Sequence, residues 1–170
     1  MSSRFKSIRT FILGSAYVAL TLYWRIVKPK TFGSRVVLRS GDEVLLVKHT
    51  GGELWVFPGG GRKKNETPKD CARREIKEEL GINIPESSLW LFGIYTNASQ
   101  GKRDTIHLFI AEIEKSDVEL EWEIAEAEWF SIHSLPKMTS YATRDRITEI
   151  LVGAPDPDGL WIKNTPISRL

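Results

Sequence analysis

The chain has 170 residues, 41% hydrophobic and 27% charged, the proportions of a soluble globular protein of one domain, long enough to bury a core. A single cysteine, Cys71, excludes an intramolecular disulfide, and no Cys/His cluster has zinc-ligand spacing. The net charge of +2 is unevenly spread: residues 1–40 carry eight basic side chains and no acid, leaving sixteen basic and twenty-two acidic groups, a balance of −6, on the remainder.

In chain order, Phe11 to Trp24 is apolar apart from Ser15, Thr21 and Gly14, and is flanked by Arg9 and Arg25. Its fourteen residues fall short of the about 20 that a bilayer span needs, and no small-x-small cleavage site follows. Residues 3–27 are expected to form a helix outside the main domain, with an apolar face that needs a cover. A second subunit or the protein's own domain is the preferred cover, giving an expected homodimer. Peripheral contact with an anionic membrane is the alternative. The expected organisation is a basic helical arm over 1–31, a main domain over 32–153 and a tail over 154–170.

Phe32–Arg39 and Glu43–His49 read as a hairpin around Ser40-Gly41-Asp42. Glu53–Phe57 reads as a short strand that leads into the glycine run Gly59-Gly60-Gly61. A helix is expected from about Pro68 to Leu80. Thr67 is its N-cap, Asp70 the acid of a capping box, and Gly81 its stop. Leu89–Thr96 and Thr105–Ile113 read as strands joined by a polar loop, Asn97–Asp104. Ala127–Ile132 reads as another strand. Thr139–Val152, with Ile147, Ile150 and Leu151 apolar, reads as a helix ended by Gly153. The stretch 154–159 is turn-rich. Strands and helices in this order suggest a mixed sheet between helices, an α/β or α+β sandwich.

The chemistry concentrates on the first of these helices. At 100° per residue Glu75, Glu78 and Glu79 share one sector, while Ala72, Ile76 and Leu80 occupy the neighbouring one and pack on the sheet. Crowded carboxylates repel one another unless a cation relieves them, and hard oxygen ligands suit Mg²⁺ or Mn²⁺. Arg74 lies one turn before Glu78 and pairs with it. The glycine run lets backbone come close to a metal or phosphate. Cys71 reads as a small buried residue.

The segment Trp55–Ile82 resembles the Nudix box, G-x5-E-x7-R-E-U-x-E-E-x-G-U with U a bulky apolar residue. Gly60, Glu66, Arg74, Glu75, Ile76, Glu78, Glu79, Gly81 and Ile82 meet every fixed position. Leu45-Leu-Val-Lys-His-Thr50 and Glu126–Pro136 also look like Nudix segments. The resemblance covers about residues 33–152 and implies an α/β/α sandwich with the box as loop-helix-loop. It also implies Mg²⁺- or Mn²⁺-dependent hydrolysis of a nucleoside diphosphate linked to another moiety. Carried over, the metal ligands are Glu75, Glu79, Glu78 and the Gly59 carbonyl. Arg74 orients a box carboxylate, and Glu66 acts through water or holds the loop.

The resemblance also implies a general base that is either a box glutamate such as Glu78 or a later acid, for which Glu119, Glu121, Glu123 and Glu126 are the candidates, with Glu123 ranked first. Arg62, Lys63 and Lys64 are candidates for phosphate contact. Asp104 and Arg103 are candidates for the pocket wall, and Trp55 and Phe57 for stacking on a base. His107, inside a strand, reads as packed. An NDP-sugar or ADP-ribose is the favoured substrate. A nucleoside triphosphate and an RNA 5′ end are the alternatives, the latter helped by the basic arm. The positions that mark substrate subfamilies hold Asn97-Ala98 and Ser99-Gln100, and settle nothing. A non-catalytic nucleotide sensor, the rival of another class, usually loses the carboxylates that this chain keeps. The expected location is cytoplasmic, with membrane association through the arm as the alternative.

Overall fold

A computed structural model describes residues 30–99, 102–155 and 159–161. The expected helix over 3–27, and with it nearly all of the arm, lies outside the described residues. The described elements are β1 (Lys30–Ser40), β2 (Glu43–His49), α1 (Pro68–Leu80), a 3-10 turn (Glu86–Ser88), β3 (Trp90–Ser99), β4 (Lys102–Glu112), β5 (Ile124–Ser131) and α2 (Tyr141–Val152). Five strands form one sheet in the order β3-β4-β1-β2-β5. β1 runs parallel to β4, and every other pairing is antiparallel, so the sheet is mixed as expected.

The alternation along β1 and β2 sorts side chains into two cores. Val36, Leu38, Leu45 and Val47 pack with Ala72, Ile76 and Leu80 of α1. Val37, Val44 and Leu46 face the other way, toward Trp55, Phe57, Tyr95 and Ile147 of α2. Central strands covered on both faces read as unbroken apolar runs, which is why Val36–Leu38 and Val44–Val47 are apolar at every position. The three apolar residues of α1 have no exposed surface. Burying Ile76 and Leu80 contributes about 1.5–3 kcal/mol each. A helix on each face makes the α/β/α sandwich.

Three segments depart from the sequence reading. Glu53–Phe57 is not a strand: Trp55 and Val56 make single bridges to Thr139 and Val47. The Trp55 amide donates to the Met138 carbonyl at 2.8 Å, outside the sheet, and Pro58 brings no amide to extend a ladder. The strands β3 and β4 run on through most of the expected loop 97–104, with Asn97 paired to Asp104 and Ser99 to Lys102. Backbone pairing at the edge of a sheet does not require apolar residues, so a polar stretch can extend it. In α2, Leu151 is 48% exposed, whereas the charged residues Arg146 and Glu149 are buried. The Arg146 guanidinium donates from its two Nη atoms to the Leu160 carbonyl and to Glu149, both at 2.6 Å, and lies 4.3 Å over the Tyr95 ring, while its buried Nε has no hydrogen-bond partner among the described residues. That arrangement lets a charge replace an apolar anchor.

The end of the described chain also returns to the sheet. The Thr96 amide donates to the Gly159 carbonyl at 2.6 Å, and the Trp161 amide donates to the Thr96 carbonyl at 2.8 Å. Residues 159–161 therefore pack on the domain instead of trailing from it.

Candidate functional site

The glycine run is zipped onto β1. The Ser34 amide donates to the Gly60 carbonyl and the Val36 amide to the Pro58 carbonyl, both at 3.0 Å, and the Arg62 amide donates to the Phe32 carbonyl at 2.8 Å. Gly59 is required by this approach, and Gly60 lets Glu75 close on it. Gly59 has φ 128°, and a Cβ there would stand 2.3 Å from the Ser34 carbonyl oxygen. A Cβ on Gly60 would stand 2.7 Å from the Glu75 carboxylate, so that carboxylate rests directly on the loop backbone.

The loop delivers the chain to α1, which begins as its sequence dictates. Thr67 caps the Asp70 amide and Asp70 reaches back to the Thr67 amide, the reciprocal pair of a capping box. Gly81 ends the helix at φ 70°. Within this frame Arg74 is the hub. Its Nε and Nη2 donate to Glu66 at 2.5 and 3.0 Å, and its Nη1 donates to Glu75 and Glu78 at 2.7 Å each. Nη2 also donates to the Gly61 carbonyl at 2.9 Å. Glu66 in turn accepts from the Lys63 amide at 2.7 Å, so it holds the loop. The Arg74 guanidinium pulls the Glu66 carboxyl down to about 2.

Glu79 is in a different environment. It is 5% exposed and accepts from the Gly59 amide at 2.8 Å. Burial pushes its carboxyl up to about 7, against the pull of the Gly59 amide and Arg35, while Glu75 and Glu123 add repulsion. Arg35 was not singled out by sequence. It donates to the Phe57 carbonyl at 3.1 Å and to the Gly59 carbonyl, the atom expected to face the metal. Its signal was available: a lone cation just before the apolar run of a central strand.

Glu75, Glu78 and Glu79 line a cleft of about 330 Å³ together with Glu121, Trp122 and Glu123. Two of the late-acid candidates are therefore beside the helix acids. Two are not: Glu126 pairs with Lys48 at 2.7 Å, and Glu119 does not line the cleft. Asp104 accepts from the Thr31 hydroxyl and lines a second cleft of about 240 Å³, with Arg35, Gly60 and Gly61 on its wall. It is thus separated from the acidic cleft by the glycine loop.

The Arg62 guanidinium lies 4.7 Å over the ring of Phe32, a residue that lines that second cleft. Lys63 pairs with Glu78 at 3.1 Å, and Lys64 is exposed on the loop. The reading of Trp55 as a stacking platform is corrected. It is 6% exposed, with the Phe130 ring edge-on at 4.8 Å and the Lys48 ammonium 4.5 Å over its face. Phe57, 1% exposed, is core, as is Cys71. His107 is half-buried, and burial lowers its pKa.

Among the described residues no three His, Cys, Asp or Glu side chains already converge as a ready metal cage. The reason is in the contacts: Glu75 and Glu78 are turned to Arg74, and Glu79 to the Gly59 amide. The donor set nevertheless suits a divalent cation. Five carboxylates and no basic residue line the acidic cleft, and hard oxygens are what Mg²⁺ and Mn²⁺ take. Glu75, Glu78 and Glu79 are the residues that would hold it. No helix among the described residues is long and apolar enough to cross a membrane.

The family model for the NUDIX domain matches residues 29–149. The chain is 31% identical over 122 residues to a putative 8-oxo-dGTP diphosphatase of Bacillus subtilis, covering 71% of this chain and 79% of that one. It is 29% identical over 135 residues to the mRNA-decapping enzyme subunit 2 of Saccharomyces cerevisiae, covering 78% of this chain but only 14% of the yeast protein. Among solved structures it is similar to a MutT NUDIX hydrolase of Burkholderia pseudomallei, with TM-score 0.63 and 23% identity over 71% of this chain and 98% of that one. The complete box, which spans the glycine loop and α1, and the matched span of 29–149 agree: the chain belongs to the NUDIX hydrolase family.

Proposed function

We propose that this protein is a Mg²⁺- or Mn²⁺-dependent pyrophosphohydrolase that cleaves the diphosphate linkage of a nucleoside diphosphate derivative, with an NDP-sugar or ADP-ribose favoured. The observation that carries the proposal is the acidic cleft, where three acids of one helix meet Glu121 and Glu123 of the later loop. A diphosphate is strongly anionic and repels both these carboxylates and hydroxide, so the cleft admits it only with a cation. A divalent cation held by Glu75, Glu78 and Glu79 would supply charge neutralisation of the diphosphate and activation of the attacking water.

The chain's own residues supply the rest. Arg74 fixes the orientation of Glu75 and Glu78 through charge-assisted hydrogen bonds. Glu66, held by Arg74 and the Lys63 amide, keeps the loop against the helix. Glu123 lines the same cleft from the later loop and is the assigned acceptor of the proton from the attacking water. Arg35 and the Gly59 amide limit the repulsion around the buried Glu79.

The test is a substrate panel with Mg²⁺ or Mn²⁺ and with excess chelator, resolved by product identity. The expected result is a nucleoside monophosphate plus a sugar phosphate, formed only with metal. Undiminished turnover in chelator contradicts the proposal. The yeast relative, named for its action on mRNA, supports an RNA 5′ end as the second reading, and capped or triphosphorylated RNA belongs in the same panel.

A further inference from the structure

The acidic cleft has one aromatic wall, and its chemistry differs from everything else there. Trp122 is 78% exposed, the most exposed large hydrophobic side chain among the described residues, yet it sits between Glu121 and Glu123 on the lining of the cleft. A solitary exposed tryptophan is unremarkable on a loose loop. This loop is tied on both sides. The Glu119 amide donates to the Leu80 carbonyl at 3.1 Å and the Glu121 amide to the Glu79 carbonyl at 3.4 Å, binding it to the end of α1. The Thr50 amide donates to the Glu123 carbonyl at 2.8 Å, and the Thr50 hydroxyl to the carbonyl of Trp122 itself at 2.8 Å, binding it to the end of β2.

We infer that Trp122 is the nucleobase platform of this site: its indole stacks on the base of a nucleotide whose phosphates lie over Glu75, Glu78 and Glu79. The inference rests on the pyrophosphohydrolase reading and adds a specificity residue to it. Three physical points carry it. The fixed backbone means that little conformational freedom is lost when a ligand stacks, which is the condition for a useful platform. An acid-walled cleft has no other apolar surface to offer a base, since Trp55 and Phe57 are taken into the core. Stacking on an aromatic face is tolerant of base identity, so this wall distinguishes a base-bearing diphosphate from a base-free one without selecting among bases.

Base stacking of this kind is worth about 1–3 kcal/mol per base, which is about 5- to 150-fold in affinity. The experiment is isothermal titration calorimetry with Mg²⁺ present, using AMP and inorganic pyrophosphate as probes, on the wild type, Trp122→Ala and Trp122→Phe. The expected result is that W122A weakens AMP by about 5- to 150-fold and leaves pyrophosphate unchanged. W122F, which keeps a ring, stays within about threefold of the wild type for AMP. The inference is overturned if W122A binds AMP as the wild type does, if the wild type does not bind AMP, or if W122A loses AMP and pyrophosphate alike. Hydrolysis of the substrate panel is scored separately. Turnover by the wild type together with unchanged AMP binding by W122A removes the platform and leaves the pyrophosphohydrolase. Absence of turnover on the panel removes the reading beneath it.

Discussion

Replacing Arg74 by alanine tests the organisation of the site apart from its catalysis. The guanidinium makes six hydrogen bonds, to Glu66, Glu75, Glu78, the Gly61 carbonyl and, weakly, the Cys71 sulfur. Its own side chain is 17% exposed, those of Glu66 and Glu75 are 17% and 14%, and that of Glu78 is 51%. Removing one partner of a fully buried pair costs about 3–5 kcal/mol. An exposed pair is worth about 0–1 kcal/mol, which is the class of the Glu78 contact. The Glu66 and Glu75 contacts lie between these limits, so R74A should cost about 2–3 kcal/mol. In a chain of this size that is a fall of about 4–12 °C in Tm.

The assay is thermal unfolding followed by circular dichroism in excess chelator, so that only the protein's own charges act. Arg74→Lys should recover less than half of the loss, because an ammonium is a point charge and cannot bridge three carboxylates and a carbonyl. A shift of less than about 1 °C for R74A, against the 2–4 °C expected per kcal/mol, would show that the hub does not organise the loop and helix.

Glu79→Gln removes a ligand charge with little change of volume and should lower turnover on the order of 10²-fold or more with the far-ultraviolet spectrum unchanged; retention of most activity would misplace the metal. Gly60→Ala should fold with nearly the wild-type Tm, because the group its methyl meets is the end of the flexible Glu75 side chain, but should weaken Mn²⁺ about tenfold by displacing that carboxylate. Equal Mn²⁺ affinity by calorimetry contradicts the assignment of Glu75. Stability should also depend on pH through Glu79. Its carboxyl is raised from 4.5 to about 7, so between these values the native state holds a proton that the unfolded chain has released. The contribution of Glu79 to stability therefore falls as pH rises through that window and is level above it. His49 and His107, both lowered, slope the other way, so the difference between wild type and E79Q in chelator isolates the effect. A difference that is flat or grows across the window refutes it.

Local rules carried most of the fold. The Thr67 and Asp70 capping box and the Gly81 stop placed α1 at Pro68–Leu80 from sequence, and the structure keeps those bounds. The spacing of the box acids likewise brought Glu75, Glu78 and Glu79 to one cleft. What local pattern could not reach depends on contacts distant in sequence. Arg146 and Glu149 look like surface charges until Tyr95 and residues 160–161 close over them. Trp55 looks free to stack until Phe130, on β5, meets it. Arg35 meets the Gly59 carbonyl only because β1 lies beside the glycine loop, and Trp122 reaches the cleft only because residues 119–124 are tied to the ends of α1 and β2.

The central claim is attack of water on phosphorus within a diphosphate at the acidic cleft. Hydrolysis of an NDP-sugar or ADP-ribose in ¹⁸O-water with Mg²⁺, read by mass spectrometry of the products, tests it most directly. The account predicts the label on the phosphate of one product and none on a sugar carbon, with label incorporation abolished by chelator. Label on a sugar carbon, or undiminished incorporation in chelator, would contradict it.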